Sequence, residues 1–192
     1  ANVYGGKGDT SSKGNSVEIS EGTISNSVYG GYANNDKNGS AEKNEVAIGA
    51  GSKVSEDIYG GYATHNTNEN KVSITNGAEV GQSVFGGFSE KADSKNNEVI
   101  LNGDSVVTGN VAGGVALKGN SEGNTVRIIK SSTGYVFGGK GDTSSKENNV
   151  EISDSTIKNN VYGGYADNDK NGSAEKNEVA IGAGSKVSED IY

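Results

Sequence analysis

The chain contains no cysteine, proline, methionine or tryptophan. It has one histidine, His65, one arginine, Arg127, and two leucines, Leu101 and Leu117, in 192 residues. Without cysteine there is no disulfide, no thiol nucleophile and no cysteine-ligated zinc. That absence is compatible with export. The lack of proline suits strands held between two others, because proline cannot donate to a sheet ladder. A lone arginine and a net charge of −8 leave no basic cluster with which to grip nucleic acid or an anionic lipid surface. No run approaches the ~18 apolar residues of a membrane-spanning helix, so no membrane insertion is expected. No targeting segment opens at Ala1, and the chain starts in mid-unit.

Apolar material is scarce, at 31% of residues and a mean hydropathy of −0.63. A disordered chain would look similar in bulk. The order of the residues argues otherwise, because the sequence repeats itself. N-x-V-x-[I/L] occurs at Asn15, Asn44, Asn70, Asn97, Asn124, Asn148 and Asn177. Each copy is followed by [V/I]-[Y/F/A], then usually Gly-Gly, at Val28-Tyr29, Ile58-Tyr59, Val84-Phe85, Val111-Ala112, Val136-Phe137, Val161-Tyr162 and Ile191-Tyr192. An extra copy, Val3-Tyr4, opens the chain. The steps between these positions are 25, 30, 26, 27, 25, 25 and 30 residues. Such a period marks a solenoid, whose narrow core needs few inward residues per turn.

The expected fold is all-β: a right-handed parallel β-helix of about seven turns of 25–30 residues, with three short strands per turn. Strand one is N-x-V-x-I. Strand two centres on one apolar residue, such as Val54 or Val80. Strand three carries V-Y-G-G. At ~4.8 Å per layer the seven turns would span about 33 Å. Helix is excluded by the missing i, i+3, i+4 pattern and the frequent glycine. Above the turn lies a super-repeat of 133 residues: positions 2–59 match 135–192 at 49 of 58 places. Residues 1–192 are therefore read as a single solenoid region, expected to be a piece of a longer array continuing in both directions.

The seven asparagines are expected to form a structural ladder. The amide both donates and accepts along a stack, and asparagine tolerates the left-handed conformation of a sharp corner. Tyr4, Tyr29, Tyr59, Phe85, Phe137, Tyr162 and Tyr192 form an aromatic column broken by Ala112. It reads either as a packing ladder or as a face on which sugar rings stack. Free exchange of Phe for Tyr favours packing. A second set lies three residues on: Lys7, Tyr32, Tyr62, Phe88, Val115, Lys140 and Tyr165. Its variation suggests partial exposure. Gly-Gly can insert a bulge that resets strand alternation, which leaves the facing of both sets open.

Two long loops carry oxygen ligands at alternate positions. Asp167, Asp169, Asn171 and Glu178 meet the calcium-loop pattern D-x-[D/N]-x-[D/N]-G-x5-E in full; Asn34, Asp36, Asn38 and Glu45 meet it with Asn at the first position. The same residues are also ordinary turn formers. Calcium is thus a candidate ligand, and no other cofactor is expected. Catalysis finds little support. Polysaccharide-cleaving β-helices need paired carboxylates or a base beside a metal, whereas Asp and Glu here recur with the repeat as solvated charge does. His65 reads as an exposed loop residue and Arg127 as isolated.

Tandem V-Y-G-G-Y turns, N-x-V-x-I strands and Asn/Ser/Lys-rich loops resemble the passenger regions of large autotransporter (type V secreted) adhesins of Gram-negative bacteria. The resemblance covers the whole chain. It implies a parallel β-helix stalk on the cell surface, displayed by a C-terminal membrane barrel, which these residues do not include. The expected role is a non-catalytic, adhesive stalk, extracellular at the bacterial surface, that contacts a host-cell or bacterial glycan or protein through many weak contacts. A carbohydrate-active β-helix enzyme and a filament self-associating end to end are the alternatives.

Overall fold

The computed structural model describes residues 1–168 and 171–192. They form an all-β solenoid of about seven turns in which every pairing between strands is parallel and joins one turn to the next. Four seven-stranded sheets run along the coil, and each turn visits them in the order A, B, C, D. In the third turn these strands are Ile58–Ala63, Thr67–Asn68, Lys71–Ile74 and Glu79–Val80. Val46, Val72, Val99, Val126 and Val150 pair in register along sheet C, one per layer.

The turn therefore has four strands rather than the expected three. The extra one, sheet B, is the polar loop ahead of each ladder asparagine. Its inward residues are small: Ser12, Ala41, Thr67, Ser94, Ser121 and Ser145 are all buried. Their hydroxyls accept burial because they have partners. Ser94, Ser121 and Ser145 donate to the carbonyls of Gly87, Gly114 and Gly139 at 3.2, 3.0 and 2.9 Å. A strand whose buried face is serine escapes any reading based on apolar alternation.

The core is one continuous seam of Val and Ile. Sheet C supplies two per turn, such as Val46 and Ile48, sheet D one, such as Val54, and sheet A one, such as Ile58. Each of these is essentially inaccessible to solvent. Burying a residue of this size is worth about 1.5–3 kcal/mol, so a turn with four such residues is held mainly by its neighbours above and below.

Between sheets B and C the chain turns a corner, and there the asparagine ladder forms. Asn70 Nδ2 donates to Asn97 Oδ1 at 2.9 Å and to the Ala41 carbonyl at 2.9 Å. Asn97 Oδ1 also accepts the Asn70 backbone N–H at 3.0 Å. The same side-chain bond runs from Asn15 to Asn44, Asn44 to Asn70, Asn97 to Asn124, Asn124 to Asn148 and Asn148 to Asn177, at 2.8–3.0 Å. The corner takes that N–H out of the sheet ladder, and a buried N–H needs an acceptor. Asparagine reaches it and still offers two donors. Aspartate has none, and serine is too short.

The left-handed residue of this corner is not the asparagine. It is the residue before it: Gly14, Lys43, Glu69, Asn96, Gly123, Glu147 and Lys176 all have φ between 53° and 68°. Their side chains point to solvent, which is why charged residues occupy a conformation that costs an L-residue roughly 1–2 kcal/mol. The asparagine is fixed by its hydrogen bonds, not by backbone preference.

Replacing Asn70 by Ala strips the acceptor from two donors of Asn44 and the donor from the Ala41 carbonyl. The expected loss is about 3 kcal/mol in denaturant unfolding, from buried groups left unpaired. Exposed Asn38→Ala is expected to change stability by less than about 0.5 kcal/mol. Equal midpoints for the two variants would contradict the ladder.

Candidate functional site

Sheet A carries the candidate site on its outer face, and the asparagine ladder is what creates it. A Cβ on Gly31 would lie 2.2 Å from Asn44 Nδ2, and one on Gly61 2.5 Å from Asn70 Nδ2. A Cβ on Gly30 or Gly60 would lie 2.5 Å from the carbonyl of the glycine one turn on. Both positions of Gly-Gly thus face inward and exclude any side chain. Two inward residues in succession break strand alternation, so the residues on either side both point outward. In V-Y-G-G-Y-A the tyrosines are half-buried while the flanking Val28 and Ala33 are inaccessible. The facing that the sequence left open is outward for both sets.

The two sets form adjoining columns. In the first, Tyr4 stacks on Tyr29 at 4.9 Å, Tyr29 on Tyr59 at 5.0 Å and Tyr59 on Phe85 at 5.2 Å, with planes within 17°. Phe137, Tyr162 and Tyr192 continue it at 5.1 and 4.9 Å. In the second, Tyr32 stacks on Tyr62 at 5.2 Å and Tyr62 on Phe88 at 5.4 Å. Within a layer the two rings meet edge to face, as Tyr59 and Tyr62 do at 5.3 Å and 90°. Lys7 and Lys140 end runs of the second column, their ammonium groups 5.6 and 5.3 Å from the rings of Tyr32 and Tyr165. This cationic capping has no signal in the repeat, because it requires knowing that the residues share a face. Each such contact is worth about 0.5–1.5 kcal/mol beyond area burial.

Burial pushes the phenols of Tyr29, Tyr32, Tyr59 and Tyr62 above the usual tyrosine range. After burial, the Asp57 carboxylate is the main further cause for Tyr59, and the hydrogen bond donated to Glu90 for Tyr62. Apart from Lys7 and Lys140, the face is thus a semi-apolar strip of rings edged with hydroxyls.

The other outer faces carry paired charge. Wherever two charged residues face each other across adjacent strands, their signs are opposite: Lys13–Glu42, Glu45–Lys71, Lys71–Glu98, Lys53–Glu79, Lys95–Glu122, Glu122–Lys146, Lys146–Glu175 and Arg127–Glu151. Arg127, expected to be isolated, bridges Glu98 at 2.6 Å and Glu151 at 3.0 Å. Its guanidinium is the chief cause holding the Glu151 carboxyl below the usual range. Glu122 is likewise lowered, first by Lys95 and then, against some desolvation, by Lys146.

The calcium pattern is divided among elements. Asn34, Asp36 and Asn38 stand in the exposed loop after sheet A. The next positions, Ser40–Glu42, form a sheet-B strand; Asn44 is the buried ladder residue; and Glu45 opens a sheet-C strand. An EF-hand needs all twelve positions in one loop. Asp36 instead pairs with Lys91 at 3.0 Å. In the second copy Asp167 pairs with Lys140 at 3.3 Å, Asn171 is exposed, Glu178 opens its own strand, and Asp169 lies outside the described residues. Among the described residues no group of three or more His, Cys, Asp or Glu is placed to hold a metal. His65 is half-buried rather than exposed; its carbonyl accepts the Ser89 hydroxyl, and its Nδ1 is buried without a partner.

Comparison of the chain with protein families, curated proteins and solved structures gives no significant match. The functional reading rests on the chain's own surface.

The raised phenols give a pH dependence with a definite sign. A group whose pKa is raised on folding contributes stability that is fully present below its unfolded value, near 10, and lost as pH rises through the folded value. Melting temperature is expected to be flat on this account up to about pH 10 and to fall above it. Tyrosinate absorbance should show Tyr59 and Tyr62 ionising above the usual tyrosine range. Ionisation of Tyr59 and Tyr62 near the ordinary tyrosine value of about 10, with structure retained, would contradict the packing of these columns.

Proposed function

We propose that the chain is a non-catalytic, adhesive segment of a bacterial surface stalk, of the kind carried by autotransporter adhesins and exposed outside the cell. The observation that carries this reading is the outward double column of rings on sheet A, set on a coil whose every layer is cross-linked to the next. Rings that repeat every ~4.8 Å offer many equivalent weak contacts on one rigid strip. Multivalent attachment of that kind multiplies affinity without a deep pocket. Aromatic faces edged with hydroxyls suit a glycan, whose sugar rings present apolar faces, or an extended polypeptide. The strip's only charged column positions are Lys7 and Lys140, and on the flanking sheets charges that face each other have opposite signs, so attachment is expected to rest on ring contact more than on charge. The lack of a basic patch is consistent with a partner that is neither nucleic acid nor anionic lipid.

The test is binding of the immobilised chain to a glycan array and to intact epithelial and bacterial cells, beside a Tyr59→Ala/Tyr62→Ala variant. Retention by the wild type and at least a roughly tenfold loss in the variant, at moderate salt, are expected. Equal retention by both, or none by either, would mean an inert spacer.

A further inference from the structure

The first aromatic column misses one rung. Phe85, Ala112 and Phe137 occupy successive layers of sheet A, as do Phe88, Val115 and Lys140 beside them. Where the rings are missing, the surface opens into a cavity of about 230 Å³, walled by Phe85 and Phe137, floored by Ala112 and Val115, and rimmed by Leu117 and Lys140. Ala112 and Val115 are buried, whereas Leu117 is half exposed, one of the few large apolar side chains left so.

The dimensions say what the cavity takes. Phe85 and Phe137 stand two layers apart, roughly 9.6 Å at ~4.8 Å per strand. A flat ring midway would lie about 4.8 Å from each wall. That matches the 4.9–5.2 Å at which the rings of this column already stack. Tyr4, Tyr29, Tyr59 and Phe137 are each met edge-on by the second-column residue one layer on; for a ring on the Ala112 layer that residue is Lys140. The Lys140 ammonium already lies over the Tyr165 ring and borders the cavity. It adds a cation within reach of a second π face. The walls offer two aromatic planes and the rim one cation, a set of contacts that a planar aromatic ring satisfies at every side.

We infer that this gap is a binding site for a single aromatic ring, offered as a Trp, Tyr or Phe side chain of a partner polypeptide, which inserts as the missing rung of the column. This goes beyond the adhesive reading: ring capture in the gap is a local property and holds whether or not the strip meets another cell.

The chain has no tryptophan, so an added indole is its own reporter. N-acetyl-tryptophanamide titrated with the intact chain, and excited beyond tyrosine absorption, is expected to show a saturable blue shift with Kd of order 1 mM, the scale for one small ring. N-acetyl-tyrosinamide should compete, and methyl glucoside should not. Ala112→Phe, which supplies the rung internally, is expected to weaken binding at least tenfold, while Asn38→Ala, exposed and away from the columns, leaves it within about twofold. Should Ala112→Phe fail to fold, intermolecular NOEs in the wild type decide. Contacts from the indole protons to the methyls of Ala112, Val115 and Leu117 support the site. Contacts spread along the whole column, unsaturable binding, or equal competition by the sugar would overturn it.

Discussion

The structure depends on one hydrogen bond, repeated: the side-chain amide of each corner asparagine donating to the next along the coil axis. Like the valine two residues on, it recurs without variation from layer to layer, and several other regularities follow from it. The amide fills the space beneath sheet A, so the glycine opposite can carry no Cβ. Consecutive inward glycines break the strand's alternation. That break puts both neighbours of Gly-Gly on the outer face. The aromatic strip is therefore the outward consequence of an inward polar ladder. The apolar seam gives the coil most of its stability, but Val and Ile could pack in shifted registers. A buried amide whose partners exist in only one register is far less forgiving.

In-register parallel stacking has a cost that the sequence handles in a particular way. Any residue repeated at the same place in successive turns stands ~4.8 Å from its copy, close enough for like charges to repel. Neutral residues repeat freely: Asn in the corner, Val and Ile in the seam, Tyr and Phe outside. Charged residues do not, and every facing pair has opposite signs although the chain carries −8 overall. This gives a physical reason for near-identity at 133 residues rather than at one turn. The described residues of the identical segments Asn35–Tyr59 and Asn168–Tyr192 sit five layers apart, so that charges such as Glu45 and Glu178 do not face each other.

Much of this was legible in the sequence. The period, the parallel solenoid and the asparagine ladder follow from Asn, Val and Ile recurring together, because only stacking gives the same residue the same neighbours seven times. Other parts were not. The fourth strand hides behind serines, whose burial depends on the carbonyl of the second glycine in each Gly-Gly pair. The left-handed corner was assigned to Asn70 when it belongs to Glu69, since propensity favours Asn and the hydrogen bonds that overrule it are between turns. Arg127 looked isolated along the chain because its partners, Glu98 and Glu151, are neighbours only once the coil is wound. The break at Ala112 was visible as a letter out of place. That it opens a cavity one ring thick required the spacing of the layers.

The ladder can be observed directly through its protons. In nuclear magnetic resonance, the Nδ2 protons of Asn44, Asn70, Asn97, Asn124 and Asn148, all buried, should exchange with solvent orders of magnitude more slowly than those of exposed Asn38. Their protection should fall together as the coil is unfolded by denaturant. Side-chain amides that exchange as fast as that of Asn38 in the folded chain would mean that successive turns are not joined through these asparagines.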